Sequence, residues 1–455
     1  MQFLPLEKHA AVNFVRPGAK DCRVAIHTFL LDLQALAHQI SKIFYERFIR
    51  NEEITLFSPH DVLDLYDAFG TDRFDDLYVG YERNESIPRK TIGAQELFLD
   101  LLKERAETGR IYIMNIDHCN SHSSFVDQIT MSNLCMEITL PTIPLQHIDN
   151  DGPQEMATCI LSALNVGKIK SDEELEELCD LAVRGLEELI DYQYYPVKAA
   201  ENFTKRRRAL GVGFIGLAHY LAKLGLAYDS QSAWDAIHSL SESFQYYLLK
   251  TSNQLAKEKG YCEYFGRTKY SDGMLPIDTY KKDVDEISNI PFQHDWEALR
   301  ASILEYGLRH STLSAQMPSE SSSVVSNATN GIEPPRGYLS VKKSKKGPLK
   351  QIVPQYNTLK NNYTLLWDMK SNRGYINIVA VMQKFFDQAI SGNWSYNPSN
   401  YPDNEVPVSV MANDLLTTYK YGWKTSYYQN TYDNKTDEVD ESKPTLDELV
   451  EELSK

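Results

Sequence analysis

The sequence of 455 residues is short of cysteine, short of basic residues and without a long apolar run. Its six cysteines include no C-x-x-C pair, which argues against a disulfide scaffold and a cysteine-rich zinc module. Only 47 Lys and Arg oppose 63 Asp and Glu, so the formal net charge is −16 and nucleic acid is not an expected partner. No apolar run approaches the roughly 18 residues that span a bilayer, so no membrane association is expected.

The amino terminus, MQFLPLEKHAAV, lacks the basic and then apolar pattern of a secretory signal. We therefore expect a cytoplasmic protein. Hydrophobic residues make up 42% of the chain and charged residues 24%, which is the composition of a folded globular protein.

Two segments show helical periodicity. Residues 171–190 begin with a capping box of Ser171 and Glu174, and Cys179 adjoins the apolar face as a predicted core thiol. That predicted face consists of Leu175, Leu178, Ala182, Leu186 and Leu189. A second amphipathic helix is predicted between Ile40 and Ile54, with its apolar residues at Ile40, Ile43, Phe44, Phe48 and Ile49.

Short apolar runs alternate with such helices, which predicts an α/β architecture with many parallel strands. The runs are Ile111–Ile113, Cys135–Leu140, Cys159–Leu164, Gly211–Ile215 and Ile376–Val381. Residues 337–353 are typical of an exposed hairpin. Its turn carries the lysines Lys342, Lys343, Lys345 and Lys346, which we interpret as solvated.

The last 25 residues, 431–455, carry nine acidic residues and three lysines. Thr445 and Glu448 form a capping box before an apolar face of Leu446, Leu449, Val450 and Leu453. Two interpretations stay open: a frayed tail, or a docking helix on a flexible tether.

Two motifs suggest chemistry that we do not expect. Gly211–Gly216 reads G-x-G-x-x-G, but the residues before it, TKRRRAL, are not the strand that a dinucleotide fingerprint needs, and close helix packing explains the glycines better. Asp117, His118, Cys119 and His122 are metal-type ligands. They lack the paired spacing of a zinc site, so we expect a hydrogen-bonded loop at a strand end and no metal.

Four other segments stand out together. In the first, Ser132–Glu137, an extended backbone would turn Asn133, Cys135 and Glu137 to one side, where a buried amide and carboxylate need partners. In the second, Cys159 opens an apolar strand.

The third segment, Met317–Ser323, places small hydroxyl residues before a helix start, a pattern whose backbone N–H groups can bind phosphate. The fourth, Ser426–Asn430, contains the adjacent tyrosines Tyr427 and Tyr428.

Together these segments resemble the large, catalytic subunit of class I ribonucleotide reductase. The resemblance runs from about Leu36 to Asn430, and its matching stretches are ITLFSPHDV, TGRIYIMNIDHCN, SNLCMEITLPT, LPIDTYKKD, MPSESSSVVSNATNGIEPPRGY and YYQN. It implies an unmatched segment 1–36, a catalytic portion 37–430 and an acidic tail 431–455. The implied fold is the C-terminal portion of a ten-stranded α/β barrel, with a finger loop that carries a radical cysteine.

The resemblance also implies roles. Cys135 would be the thiyl radical that abstracts the 3′ hydrogen of a ribonucleoside diphosphate. Glu137 would be the general base, Asn133 would orient the substrate hydroxyls, and Cys159 would be one member of a redox-active pair.

Further matches concern binding and radical transfer. The finger-loop residues Leu134 and Met136 would also contact substrate, and the diphosphate would be held by Pro318, Ser319, Glu320, Ser321 and Ser322. Tyr427 and Tyr428 would pass the radical from a small subunit that holds a metal-tyrosyl radical. The chain itself would bind no cofactor, and thioredoxin or glutaredoxin would be the reductant.

Departures from the family are equally informative. The family's second redox cysteine lies on the first barrel strand, but only Cys22 and Cys119 precede Cys135 here, and neither has that strand's surrounding sequence. The ATP cone and the specificity-site region are also missing. We therefore expect the C-terminal piece of a split large subunit, joined by an N-terminal chain that binds the nucleotide effectors. No cysteine follows Cys262, so re-reduction would use another chain's cysteines or a reductant that reaches the site directly.

Two alternatives remain. A cobalamin-dependent reductase would share the finger loop but would not need Tyr427 and Tyr428. A non-catalytic fragment kept as a binding or structural partner would need none of the matched residues.

Overall fold

The computed structural model describes residues 36–145, 152–344 and 347–433. The strands are β1 Leu36–Ile40, β2 Glu53–Phe57, β3 Arg89–Gly93, β4 Ile111–Asn115, β5 Leu161–Asn165, β6 Gly211–Ile215, β7 Leu339–Ser344, β8 Gly347–Ile352, β9 Trp394–Tyr396, β10 Thr425–Ser426 and β11 Gln429–Thr431. The α-helices are α1 Lys42–Arg50, α2 Leu63–Ala68, α3 Phe74–Arg83, α4 Ala94–Thr108, α5 Ile116–Ser121, α6 Asp172–Tyr192, α7 Lys198–Arg207, α8 Leu217–Leu224, α9 Gln231–Lys259, α10 Pro276–Thr279, α11 Trp296–Tyr306, α12 Glu320–Val325, α13 Tyr356–Leu359, α14 Arg373–Gln383 and α15 Val408–Lys420.

Strand β4 lies at the centre of a three-stranded sheet. It pairs in parallel with β1 and antiparallel with β10, with Ser426 opposite Ile113. Because β10 ends at Ser426, this register brings the next two residues, Tyr427 and Tyr428, beside Tyr112 of β4.

The remaining strands form pairs. Two are parallel, β5 with β6 and β9 with β11, and two are antiparallel, β2 with β3 and β7 with β8. Single bridges extend these pairs from Val212 to Ser314 and from Gln316 to Ile390. The predicted mixed α/β content is confirmed, and the sheets of the described residues do not close into a barrel.

The helix predicted at residues 171–190 is confirmed as α6. The Ser171 hydroxyl accepts the Glu174 N–H at 3.3 Å, but the Glu174 carboxylate accepts the N–H of Lys170, so only half of the capping box forms. The buried face is Leu175, Cys179, Val183, Leu186 and Ile190. Leu175 and Leu186 of the predicted face are therefore confirmed. The prediction was wrong at Leu189, which is exposed, and Ile190 is buried in its place.

The helix predicted between Ile40 and Ile54 is shorter than expected. Ile40 ends β1, Ile54 lies in β2, and α1 stops where Asn51 adopts a left-handed φ of 55°. Ile49, which was expected on the apolar face, is exposed.

The run Ile376–Val381 is helical, not extended. It lies in α14, where every residue from Gly374 to Gln383 is buried. A helix that is buried on all sides has no polar face, so its sequence cannot be distinguished from a buried strand by periodicity. Helix α14 packs against the 29-residue helix α9, which also packs against α6.

The strand Gly211–Ile215 is confirmed, but helix packing does not explain its glycines. A Cβ on Gly213 would lie 2.5 Å from the carbonyl oxygen of Ala315, and one on Gly211 would lie 2.6 Å from the Leu161 side chain. The glycines therefore allow neighbouring extended segments to approach β6 closely.

The predicted hairpin is confirmed as β7 and β8. Lys345 and Lys346, the segment 1–35 with Cys22, and the tail residues with the predicted capping box of Thr445 and Glu448 lie outside the described residues. Within the described ranges, no helix is both long enough and apolar enough to cross a membrane.

Candidate active site

Residues Ser132–Glu137 form a turn and not the predicted extended segment. The Met136 N–H donates to the Asn133 carbonyl at 3.1 Å, and Met136 has a φ of 67°. The run Cys135–Leu140 is likewise not a strand. Alternation therefore does not explain why Asn133, Cys135 and Glu137 come together.

The segment after α14 brings the three residues together. The Ala389 N–H donates to the Glu137 carbonyl at 3.0 Å. The Ser391 hydroxyl donates to the Cys135 carbonyl and lies 3.5 Å from the Glu137 carboxylate. Sequence reasoning missed Ser391, because no motif in the surrounding segment distinguishes it from an ordinary serine.

Lys424 holds this same segment from the other side. Its fully buried ammonium donates to the carbonyls of Asp387 and Gln388 at 2.9 Å each, and to that of Phe386 at 3.4 Å. Burial lowers the pKa of Lys424 to about 7. Because Lys424 directly precedes β10, it joins the tyrosine-bearing strand to the segment that holds Cys135.

Glu137 is the acidic group of the site. It is buried, and this desolvation raises the pKa of its carboxyl, while hydrogen bonds from Asn133 and Ser391 oppose the shift. A carboxylate with a raised pKa is a stronger proton acceptor than an ordinary glutamate.

Cys159 lies beside Asn133, Cys135 and Glu137, and we call these four residues the cysteine cluster. Its sulfur lies 3.9 Å from the Asn133 amide nitrogen, two residues before β5 begins, so Cys159 does not itself open the strand. The side chain is exposed, but its thiol pKa is raised. Partial desolvation is the largest cause, followed by the negative charge of Glu137 and of Cys135. Desolvation and Glu137 also raise the pKa of Cys135, so both groups are thiols at neutral pH.

The two tyrosines extend from the cluster. The Tyr427 hydroxyl lies 3.8 Å from the Cys135 sulfur, and the Tyr427 and Tyr428 ring centroids are 4.2 Å apart. Tyr112 packs against both rings, with centroid distances of 4.6 and 5.4 Å. Sequence reasoning missed Tyr112, although its signal was an aromatic hydroxyl inside the otherwise apolar strand β4.

The phenols of Tyr427 and Tyr112 are neutral at ordinary pH. Desolvation raises the pKa of Tyr427 and of Tyr112, and hydrogen bonds with Tyr428 and Cys135 raise that of Tyr427 further. Loss of an electron from such a phenol has to be accompanied by loss of its proton.

The predicted helix start lies inside the serine-rich segment and not after it, because Ser321, Ser322 and Ser323 belong to the helix. Helix α12 begins directly after Ser319, whose hydroxyl accepts the Gly331 N–H at 3.0 Å and lies 2.8 Å from the Ser323 hydroxyl. The Ser322 hydroxyl donates to the Ser319 carbonyl at 2.9 Å. These bonds order the turn that follows Pro318.

This serine turn is connected to the cysteine cluster. Gln316 accepts the Ser391 N–H at 3.0 Å, only two residues before Pro318. Ser321 and Ser322 are exposed on the turn. In the turn Ser132–Glu137, Leu134 is exposed, whereas Met136 is buried and packs in the core.

The metal-type residues near Asp117 bond to protein groups instead. The ring nitrogens of His118 and His122 lie 3.0 and 2.7 Å from the carbonyls of Trp423 and Gln383, and Cys119 faces the Lys424 carbonyl. Asp117, His118 and Cys119 lie on helix α5 and not on the expected loop, and His122 directly follows this helix. No group of three potential metal ligands occurs in the part of the chain that the structure describes.

All five cysteines among the described residues are free thiols. Cys119, Cys179 and Cys262 are buried, and Cys179 lies in the core as predicted. Cys135 and Cys159 alone among these five reach the cluster.

Comparison with known proteins gives a consistent result. The family described as "Ribonucleotide reductase, barrel domain" matches residues 31–429. The chain is 57% identical over 404 residues to a ribonucleoside-diphosphate reductase subunit alpha of Haemophilus influenzae, covering 88% of this chain and 53% of that protein. It is 54% identical to ribonucleoside-diphosphate reductase 1 subunit alpha of Escherichia coli, covering 90% and 54%, and 42% identical to the subunit alpha of phage T4, covering 90% and 55%.

The chain thus spans about half the length of the curated relatives it matches. Its match to the barrel domain, however, extends over nearly all of the described residues and includes the cysteine cluster and the tyrosine pair. On this evidence the chain belongs to the ribonucleotide reductase family and carries its barrel domain.

Proposed function

We propose that this chain is the C-terminal catalytic part of a ribonucleoside-diphosphate reductase large subunit, which reduces ribonucleoside diphosphates to deoxyribonucleoside diphosphates by a radical mechanism. The observation that carries the proposal is the 3.8 Å contact between the Tyr427 hydroxyl and the Cys135 sulfur. It joins a cluster of three tyrosines to a thiol that has a carboxylate, an amide and a second thiol beside it.

Radical entry follows the tyrosines. Tyr428 would lose an electron and a proton to a separate small subunit, which would supply the oxidising metal-tyrosyl radical, and Tyr428 would recover a hydrogen atom from Tyr427. Tyr427 in turn takes the hydrogen atom of the Cys135 thiol and leaves a thiyl radical. Each transfer moves an electron together with a proton, so no buried charge is created along this route.

The chemistry then involves Cys135 and its neighbours. The thiyl radical takes the hydrogen from C3′, and the Glu137 carboxylate takes the proton of the 3′-hydroxyl. The 2′-hydroxyl leaves as water with a proton from the Cys159 thiol. Cys159 and a second thiol supply two electrons and become a disulfide, and the remaining hydrogen of this dithiol goes to C2′. Glu137 then returns its proton to the 3′ oxygen, and the Cys135 S–H returns its hydrogen to C3′, which restores the thiyl radical. Ribonucleotide and dithiol thereby become deoxyribonucleotide, disulfide and water.

Among the described residues, Cys119, Cys179 and Cys262 are buried, whereas Cys159 is exposed. We infer that the second thiol comes from outside the described residues. We therefore propose that a separate N-terminal chain supplies this thiol together with the effector sites, and that thioredoxin or glutaredoxin restores the dithiol. The serine turn Pro318–Ser322 would hold the substrate diphosphate.

The proposed function is tested by cysteine substitution in the assembled enzyme. Cys135→Ala should abolish deoxynucleotide formation, since alanine cannot carry a radical, and Cys262→Ala, at a buried thiol elsewhere, is the matched control with retained turnover. Cys159→Ser should allow radical formation but block reduction, so that nucleotide decomposition and base release replace product. Turnover by a verified Cys135→Ala assembly would refute the proposal.

A further inference from the structure

Helix α4 carries a buried cation without a carboxylate partner. The Arg105 side chain is fully buried, and among the described residues no Asp or Glu lies within ion-pair distance of it. The other two deeply buried arginines differ, because Arg207 pairs with Glu155 and Arg208 with Glu187. An unpaired buried charge is costly, so Arg105 has to be held by other groups.

Three backbone carbonyls hold the Arg105 guanidinium. One terminal nitrogen donates to the Tyr427 carbonyl at 2.8 Å and also to the Ile111 carbonyl. The other terminal nitrogen donates to the Tyr428 carbonyl at 3.2 Å. Since Ile111 directly precedes Tyr112, a single guanidinium contacts the backbone next to all three clustered tyrosines.

The plane of the guanidinium is fixed as well. Its central carbon lies 4.6 Å from the ring centroid of Trp394, and the backbone N–H of Trp394 donates to the same Tyr428 carbonyl at 2.9 Å. The end of α4 adds a further bond, because the Gly109 carbonyl accepts the Gln429 N–H at 3.1 Å. Arg105 and Gly109 at the end of helix α4 therefore hold the segment Tyr427–Gln429 at successive residues.

We propose that Arg105 is a positioning residue for radical transfer, which sets the relative orientation of the Tyr112, Tyr427 and Tyr428 rings through the three backbone carbonyls. This inference rests on the proposed function. The planar fork of an arginine can donate in several fixed directions at once, whereas a lysine ammonium is a compact charge that cannot reproduce that spread. Hydrogen transfer between Tyr427 and Cys135 depends steeply on distance and angle, so a small rotation of the segment slows it.

The role can be measured separately from general stability. In the enzyme assembled with its N-terminal chain and small subunit, Tyr427 is replaced by 3-aminotyrosine, which is oxidised more easily and retains the radical. With native Arg105, substrate and effector should produce a 3-aminotyrosyl signal in electron paramagnetic resonance. Its β-methylene hyperfine couplings report how the ring is rotated about the bond to the backbone.

Arg105→Lys should lower the yield of the trapped radical and the kcat on the order of tenfold or more, with KM unchanged and with altered hyperfine couplings. Arg105→Gln removes the charge but keeps one donor, and it should give the same spectral change; it is the test if the lysine variant does not fold. Arg208→Lys is the matched control, since it disturbs a buried arginine between Glu187 and Asp191 and should leave the radical spectrum unchanged.

The outcomes distinguish the two proposals. An unchanged radical yield and spectrum in Arg105→Lys or Arg105→Gln would overturn the positioning role and leave the proposed function intact. Absence of any trapped radical when Arg105 is native would instead refute the radical route. A spectral change equal to that of Arg208→Lys would show that Arg105 contributes only to general stability. That result would also overturn the positioning role.

Discussion

Individual side chains of the cluster differ in what their environment does to them. Burial keeps Cys135, Tyr427 and Tyr112 in their neutral forms, whereas Asn133 and Ser391 direct hydrogen bonds to the Glu137 carboxylate. The thiol and the phenols are thereby suited to exchange hydrogen atoms, and the carboxylate is suited to accept a proton. Two consequences can be measured residue by residue.

Removal of a single phenol oxygen should stop the reaction without unfolding the protein. Tyr427→Phe and Tyr428→Phe keep the ring volume, so we expect a small change in stability and loss of turnover. Tyr112→Phe should be milder, because Tyr112 packs beside the path and does not contact Cys135 through a hydrogen bond. Deoxynucleotide assays on the assembled enzyme check this, and near-normal turnover of Tyr427→Phe would leave that residue a packing group.

The pH dependence should reveal Glu137. Its pKa is raised, so the carboxylate, the basic form, is lost as pH falls through a value above that of an ordinary glutamate. The acid limb of kcat/KM should therefore lie at correspondingly higher pH, and Glu137→Gln should be inactive. Ser391→Ala removes a hydroxyl that stabilises the carboxylate, and it should move the acid limb to still higher pH. An acid limb that stays fixed in Ser391→Ala would contradict this assignment.

At the level of strands and helices, the close approach of extended segments determines the site. Strand β6 contacts the segment at Ser314–Met317 through its glycines, and that segment leads to the serine turn and to Ser391. The absence of side chains at the glycines of β6 therefore matters to the site, because it lets the segment Ser314–Met317 pack close to the strand.

Gly213→Ala tests this packing. The new methyl group would lie 2.5 Å from the Ala315 carbonyl oxygen, so backbone has to move, and we expect destabilisation of about 1–3 kcal/mol with weaker substrate binding. Gly80→Ala on α3 is the matched control, since no atom lies within 4 Å of its Cβ and a helical alanine should stabilise by about 0.5–1 kcal/mol. Thermal unfolding and KM measure both, and a neutral Gly213→Ala would show that the backbone has room to move.

For the molecule as a whole, the important features are its open sheets and its free thiols. Each sheet of the described residues has only two or three strands, and all five described cysteines are free thiols. Small open sheets leave strand edges that another chain can cover.

Reconstitution tests this expectation. The chain alone should be marginally stable and catalytically silent, because we infer that none of its described cysteines supplies the second electron-donating thiol. Addition of an N-terminal large-subunit chain and a radical-generating small subunit should restore ribonucleoside diphosphate reduction, with a large and apolar interface between the two large-subunit chains. Full activity from this chain with the small subunit alone would exclude the need for an N-terminal partner.

The sequence by itself determined the helices with clear polar faces and the residue types of the cluster. Helix α6, the β7–β8 hairpin, strand β6 and the helix start after Ser319 could be predicted because local capping and periodicity encode them. The family resemblance already indicated Asn133, Cys135, Glu137, Cys159, Tyr427 and Tyr428.

Only the tertiary structure decided how these residues meet. The turn at Met136, the helical state of Ile376–Val381, and the roles of Tyr112, Ser391 and Arg105 depend on segments distant in the chain. Periodicity cannot distinguish a fully buried helix from a buried strand. Every residue has a backbone carbonyl, so the sequence does not indicate which side chain donates a hydrogen bond to it. Long-range hydrogen bonds and burial therefore determine the geometry that the residue types alone leave open.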